Sequence, residues 1–109
     1  MSSSPIGAYF PGVLSTGIKT TPQKEYRGDA FTITKLSCRV AVPASGADLK
    51  VKIRRNGTSM GEVNLGTTQT GEVTGLSIGA SDKDYFDIEI AQIGTAPNEG
   101  SDLDWQVVP

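Results

Sequence analysis

Leu49, Val51 and Ile53 alternate with Lys50, Lys52 and Arg54, and Asn56-Gly57 follows at once. A period of two sets three apolar side chains on one face and three cations on the other, which a half-buried strand requires and a helix cannot supply. Asn-Gly tolerates φ > 0 at both centres of a two-residue turn, so the strand is predicted to reverse into a hairpin. Met60 to Leu65 is the return strand, with Val63 and Leu65 sharing one face.

The same alternation recurs along the chain. Phe31-Thr-Ile-Thr opens a strand that continues through Leu36, Cys38, Val40 and Val42, with a one-residue phase slip at Thr34-Lys35. Val73, Leu76 and Ile78 mark a short strand with a kink at Gly75. Phe86, Ile88 and Ile90 mark another, with a second slip at Ile93, and Leu103, Trp105 and Val107 mark the last. A slip of one in a period of two predicts a β-bulge. No segment has helical amphipathicity. About six or seven short strands joined by Gly, Pro, Asn and Asp turns predict an all-β fold, an antiparallel β-sandwich of jelly-roll or Ig-like type.

Residues 1–29 lack this periodicity. Pro5, Pro11 and Pro22 are interspersed with Gly7, Gly12 and Gly17, yet Ile6, Tyr9, Phe10, Val13, Leu14 and Ile18 are apolar, which a disordered tail usually is not. The segment reads as an extended N-terminal arm (1–29) on a sandwich domain (30–109), packing on its own domain or on a neighbour. Those six apolar residues form a candidate assembly interface.

Two segments echo each other. Pro43-Ala-Ser-Gly-Ala-Asp-Leu and Pro97-Asn-Glu-Gly-Ser-Asp-Leu align Pro, Gly, Asp and Leu, 54 residues apart, and each is followed by an alternating strand. Two such strand-turn-strand units facing each other would build a sandwich with approximate internal symmetry.

Chemistry is sparse. With no His among the 109 residues, Ser-His-Asp and Cys-His catalysis and His-ligated metals have no means here. The single cysteine, Cys38, excludes an internal disulfide and sits in phase with buried positions. No two carboxylates lie in an apolar context that would split their pKa values. The expectation is a non-enzymatic protein with no cofactor. Asp82-Lys-Asp-Tyr-Phe-Asp lacks the Gly and closing Glu of an EF-hand loop and reads as a polar turn rather than a Ca²⁺ site. Arg27-Gly28-Asp29 matches an integrin-binding tripeptide but reads more simply as a turn. Trp105 is in phase with core residues.

Charge is uneven. Residues 30–66 carry six basic and two acidic side chains, and residues 67–109 carry one basic and eight acidic. Lys50, Lys52 and Arg54 on one strand face are candidates for a charge-complementary subunit contact with the acidic third of a neighbour. A nucleic-acid surface would need a larger basic field and stacking aromatics, so no nucleic-acid partner is expected. No run of about 18 apolar residues suggests a membrane span, and no signal peptide is visible, so synthesis in the cytoplasm is expected.

The run Gly46-Ala-Asp-Leu-Lys-Val-Lys-Ile-Arg-Arg-Asn-Gly-Thr-Ser-Met, then Phe86-Asp-Ile-Glu-Ile-Ala-Gln-Ile-Gly-Thr-Ala-Pro and Gly100-Ser-Asp-Leu, resembles a β-sandwich module of tailed-bacteriophage virion proteins. The likeness covers about residues 30 to 108, and Ser81-Asp-Lys-Asp departs from the simple Gly-Asp turn usual there. The resemblance implies a capsid decoration or cement protein, or a head-spike base, located in the virion. It would be a homo-oligomer, a trimer being favoured, held on phage capsid or tail proteins. The alternative is a carbohydrate-binding or host-adhesion module of a tail fibre, with a host glycan as partner.

Overall fold

The computed structural model describes residues 7–109, with only the backbone described for residues 19–24. Within that range the chain forms strands β1 (Gly7–Val13), β2 (Gly17–Glu25), β3 (Phe31–Ile33), β4 (Lys35–Val42) and β5 (Leu49–Arg55). It continues through β6 (Thr58–Gly66), β7 (Thr70–Val73), β8 (Ile78–Ala80), β9 (Tyr85–Gln92) and β10 (Ser101–Val108), with no helix among the described residues.

All pairing is antiparallel, and the pairs nest. β5 pairs with β6, β4 with β7, β3 with β8, β2 with β9 and β1 with β10. The chain is one long hairpin whose tip is Asn56-Gly57. There φ is 50° and 87°, the two positive values of a type I′ turn, and Arg55 pairs with Thr58 across it. Two further ladders, β4 with β10 and β5 with β9, roll the hairpin up. The products are a first sheet, β1-β10-β4-β7, a second, β2-β9-β5-β6, and the two-stranded ribbon β3-β8.

The two sheets pack as a sandwich on the faces that alternation predicts. Leu36, Cys38, Val40, Leu103, Trp105 and Val107 from the first sheet meet Leu49, Val51, Ile53, Val63, Leu65, Phe86, Ile88 and Ile90 from the second, all buried. Ile33, Ile78 and Ala80 of the ribbon join the same core. Fully burying one such Leu or Ile side chain contributes roughly 1.5–3 kcal/mol. Burial also pushes the Cys38 thiol up to about 12, with a smaller contribution from Asp104.

The two phase slips have different outcomes. At Ile93 the expected bulge exists one turn of the pleat earlier. Lys50 faces Gln92 while Val51 faces Ile90, so Ala91 is the extra residue. At Thr34-Lys35 there is no bulge. The chain leaves the β3-β8 ribbon and enters the first sheet, with the Thr34 amide bonded to the Val108 carbonyl and its carbonyl accepting from the Leu76 amide. A change of ladder shifts side-chain phase just as an inserted residue does, so the pattern alone cannot separate them.

The N-terminal segment packs on its own domain, and does so as part of the sheets. From Gly7 onward it provides an edge strand to each: β1 beside β10, and β2 beside β9. Proline is tolerated at sheet edges, where an amide can face solvent, which is why Pro11 and Pro22 do not prevent pairing. The Pro11-Gly12 step bulges β1, and the Gly12 amide donates to the Asp102 carboxylate at 2.8 Å. Leu14, at the turn from one sheet to the other, is 2% exposed and its amide bonds the Gly100 carbonyl.

The echoing turns meet. Both connect the two sheets, β4 to β5 and β9 to β10, and they lie side by side. The Ser45 amide donates to the Asn98 carbonyl at 3.0 Å, and the Thr95 amide to the Ser45 carbonyl at 2.8 Å. Gly94 lies at this contact, where a Cβ would run into the Asn98 carbonyl and the Ser45 backbone. Gly100, at φ 102°, covers Leu14, Ala44 and Leu49.

Leu14→Ala should therefore destabilise the whole domain by about 2–5 kcal/mol in urea unfolding, as an internal core truncation does. A loss near zero would mean that the segment only lies on the surface. Cys38 should resist thiol reagents in native buffer at pH 8 and react as the chain unfolds in denaturant.

Candidate functional site

β4 and β10 lie in the middle of the first sheet. Their inward side chains build the core, so their outward ones, Ser37 and Arg39 on β4 and Asp104 and Gln106 on β10, share an open face. Register orders them in two rows. Gly7, Gln106, Ser37 and Glu72 form one, and Tyr9, Asp104, Arg39 and Thr70 form the other. Together Ser37, Arg39, Thr70, Glu72, Asp104 and Gln106 line an open depression of about 570 Å³. A shallower extension is bordered by Tyr9, Ala41 and Asp102.

The side chains of Ser37, Arg39, Asp104 and Gln106 make no hydrogen bond or ion pair with other described residues. Glu72 is paired with Lys35 at 3.3 Å. Tyr9 is 56% exposed. Its phenol is held above the usual range by desolvation and by the carboxylate of Asp102, to which it is hydrogen-bonded, with Asp104 adding to the effect. The face offers donors, acceptors and one aromatic ring. Among the described residues it contains no activated nucleophile and no base oriented by a third group.

The apolar residues expected at an interface are divided by the fold. Ile6 lies outside the described residues. Leu14 is core, and Phe10 is half-buried against it. Both are turned toward their own domain, because the segment that carries them is paired at the sheet edges. Tyr9, Val13 (66%) and Ile18 (52%) are exposed. Val13 faces Ser101, which faces Val42, itself 50% exposed, so two valines share one row at the end of the first sheet.

The basic strand face is answered in part within the chain. Arg54 ion-pairs with buried Asp87 at 3.2 Å and donates to the Gly57 carbonyl. Lys52 faces Glu89 on one side and Glu62 on the other, and Lys50 faces Gln92 and Asn64. Cross-strand opposite charges of this kind stabilise a sheet face. The acidic last third thus meets the basic strand in one molecule, and Arg54 is not available to a neighbour.

At the end of the sandwich that holds the hairpin tip, the acidic turn is hydrogen-bonded rather than open. Asp82 accepts from the Gly28 amide, and Asp84 accepts from the Asn56 side-chain amide at 3.0 Å and from the Ser81 amide at 2.9 Å. No group of carboxylates among the described residues is placed to hold a metal ion. Arg27, Gly28 and Asp29 are exposed in the β2–β3 loop, where Arg27 is tied to Glu25 at 2.6 Å and the Tyr26 hydroxyl donates to the Asp29 carbonyl. Trp105 is buried and offers no stacking surface.

The depression was not visible as a motif. Its residues come from β4, β7 and β10, and each is only the polar half of an alternating strand. Knowledge that β10 inserts beside β4 is what brings them together. Comparison with protein-family models, curated proteins and solved structures finds no match to this chain.

The Asn56 and Ser81 hydrogen bonds to Asp84 favour its ionised form and hold its carboxyl below the usual range. A folded value below the unfolded one stabilises above the unfolded pKa and is lost as pH falls through the folded one. Asp84→Ala should therefore lower the urea midpoint at pH 7, and its gap from the parent should narrow steadily as pH drops toward 3. A gap independent of pH would show that the carboxylate charge plays no part.

Proposed function

We propose that this chain is a non-enzymatic structural protein of a phage virion, a capsid decoration, cement or head-spike-base component that binds a symmetric site on the particle as a homo-oligomer. The observation that carries the reading is the rolled hairpin. Its strand order, β1-β10-β4-β7 over β2-β9-β5-β6, supports a jelly-roll winding, an architecture frequent among capsid proteins. Fold alone does not assign function, so the surface must add to it. Val13, Val42 and Ile18 are large apolar side chains left exposed near the β1–β2 turn and the adjoining end of the first sheet. Such residues suit contacts between subunits. Many modest contacts repeated over a lattice add up through avidity, and a small domain can hold tightly by that means.

Size-exclusion chromatography with light scattering tests this directly. A closed oligomer, a trimer being favoured, is expected from the 11.5 kDa chain. Val13→Asp combined with Val42→Asp should convert it to a folded monomer with unchanged circular dichroism. A parent chain that is monomeric at every concentration, and remains so in the presence of phage capsids, would remove the reading.

A further inference from the structure

We infer that the open face of the first sheet, centred on Arg39 and Asp104, is a binding site for a neutral carbohydrate. The site is distinct from the apolar row proposed for assembly, and the inference does not depend on that proposal.

The volume, about 570 Å³, falls within the range of small-ligand sites, roughly 300–1,000 Å³. The lining suits sugar hydroxyls. A sugar ring presents adjacent hydroxyls, each both donor and acceptor. Planar side chains with two polar atoms can engage such a pair together: the guanidinium of Arg39, the carboxylate of Asp104 and the amide of Gln106. Ser37 and Thr70 add hydroxyls on the neighbouring strands. At the end of the second row the exposed ring of Tyr9 gives a flat apolar surface for the C–H face of a sugar, while its hydroxyl is already directed to Asp102.

The same face argues against other ligands. Glu72, Asp102 and Asp104 outnumber Lys35 and Arg39, so the field opposes phosphate, sulfate, sialic acid and anionic lipid. The backbones of β4 and β10 are hydrogen-bonded on both sides, so the strands that carry Arg39 and Asp104 cannot take an added peptide strand. The depression's polar side chains offer no large apolar anchor for a peptide.

Arg39, Asp104, Gln106 and Ser37 make no hydrogen bond or ion pair with other described residues, although Asp104 faces Arg39 across the strands. They also stand on the two central strands of the sheet, where the backbone is held on both sides. Both features lower the cost of ordering the site on binding.

The test uses the full chain on an array of neutral glycans built from glucose, galactose, mannose and N-acetylhexosamine, with sialylated and sulfated counterparts. The best neutral glycan is then titrated into ¹⁵N-labelled protein. Amide shifts are expected at Ser37 to Arg39, Thr70 to Glu72 and Asp104 to Gln106. Arg39→Ala and Asp104→Asn should each weaken binding about tenfold or more, as lost charge-assisted hydrogen bonds do. Tyr9→Ala should weaken it, while Lys52→Ala on the other sheet should leave it unchanged. Thermal melts confirm that each variant is folded, since these positions are on the surface. The inference is overturned by no neutral glycan bound, by shifts confined elsewhere, by Arg39 and Asp104 variants of parental affinity, or by tighter binding of the sialylated or sulfated counterparts.

Discussion

The two-residue turn at Asn56-Gly57 governs the rest of the molecule. Each pair of strands is nested around the one inside it, so the register set at the tip is handed outward from β5-β6 to β1-β10. A slip of one residue would turn Val51, Ile53, Val63 and Leu65 out of the core together. Bulges at Met60 and Leu65 against β5, and at Ala91 on β9, lie toward the strand ends, where the phase shift that each brings leaves the central core positions in place. The long-range pairs then close over a chain already aligned. A fold dominated by such pairs places this protein among the slower-folding small domains.

Rolling the hairpin also explains its charge distribution. The basic strand β5 lies between β9 and β6, and β9 carries Asp87 and Glu89. A lopsided sequence therefore becomes a locally balanced sheet face. The Arg54–Asp87 pair is the most enclosed part of it. Removal of either partner would leave the other charge with little solvent, a far larger penalty than the pair's net worth. On the opposite face of the sandwich Arg39 and Asp104 also face each other across the strands, without the close ion pair that encloses Arg54 and Asp87.

Strand-level structure was largely legible. Alternation at 49–53, 86–90 and 103–107 gave the buried face residue by residue, and Asn56-Gly57 gave the one turn whose type could be named. The N-terminal strands were not legible as strands, because edge positions accept Pro11, Gly12 and Gly17, and Leu14, at the turn between the two strands, is fully buried. The slip at Thr34-Lys35 looked like a bulge because a ladder change has the same periodic trace. The likeness of the two Pro-x-x-Gly-x-Asp-Leu turns did carry three-dimensional information, since they lie against each other at Ser45 and Asn98. The open face of the first sheet depends on the adjacency of β10 and β4, which no local pattern encodes.

Nesting has a mechanical consequence. β1 and β10 are antiparallel neighbours, and β1 begins at Gly7 beside Gln106, close to the end of β10 at Val108. Tension applied through the two chain ends would act at one end of that ladder and part its hydrogen bonds in sequence, as a zip opens, rather than shear them all at once. The sandwich is thus compliant to a pull through the outer ends of β1 and β10.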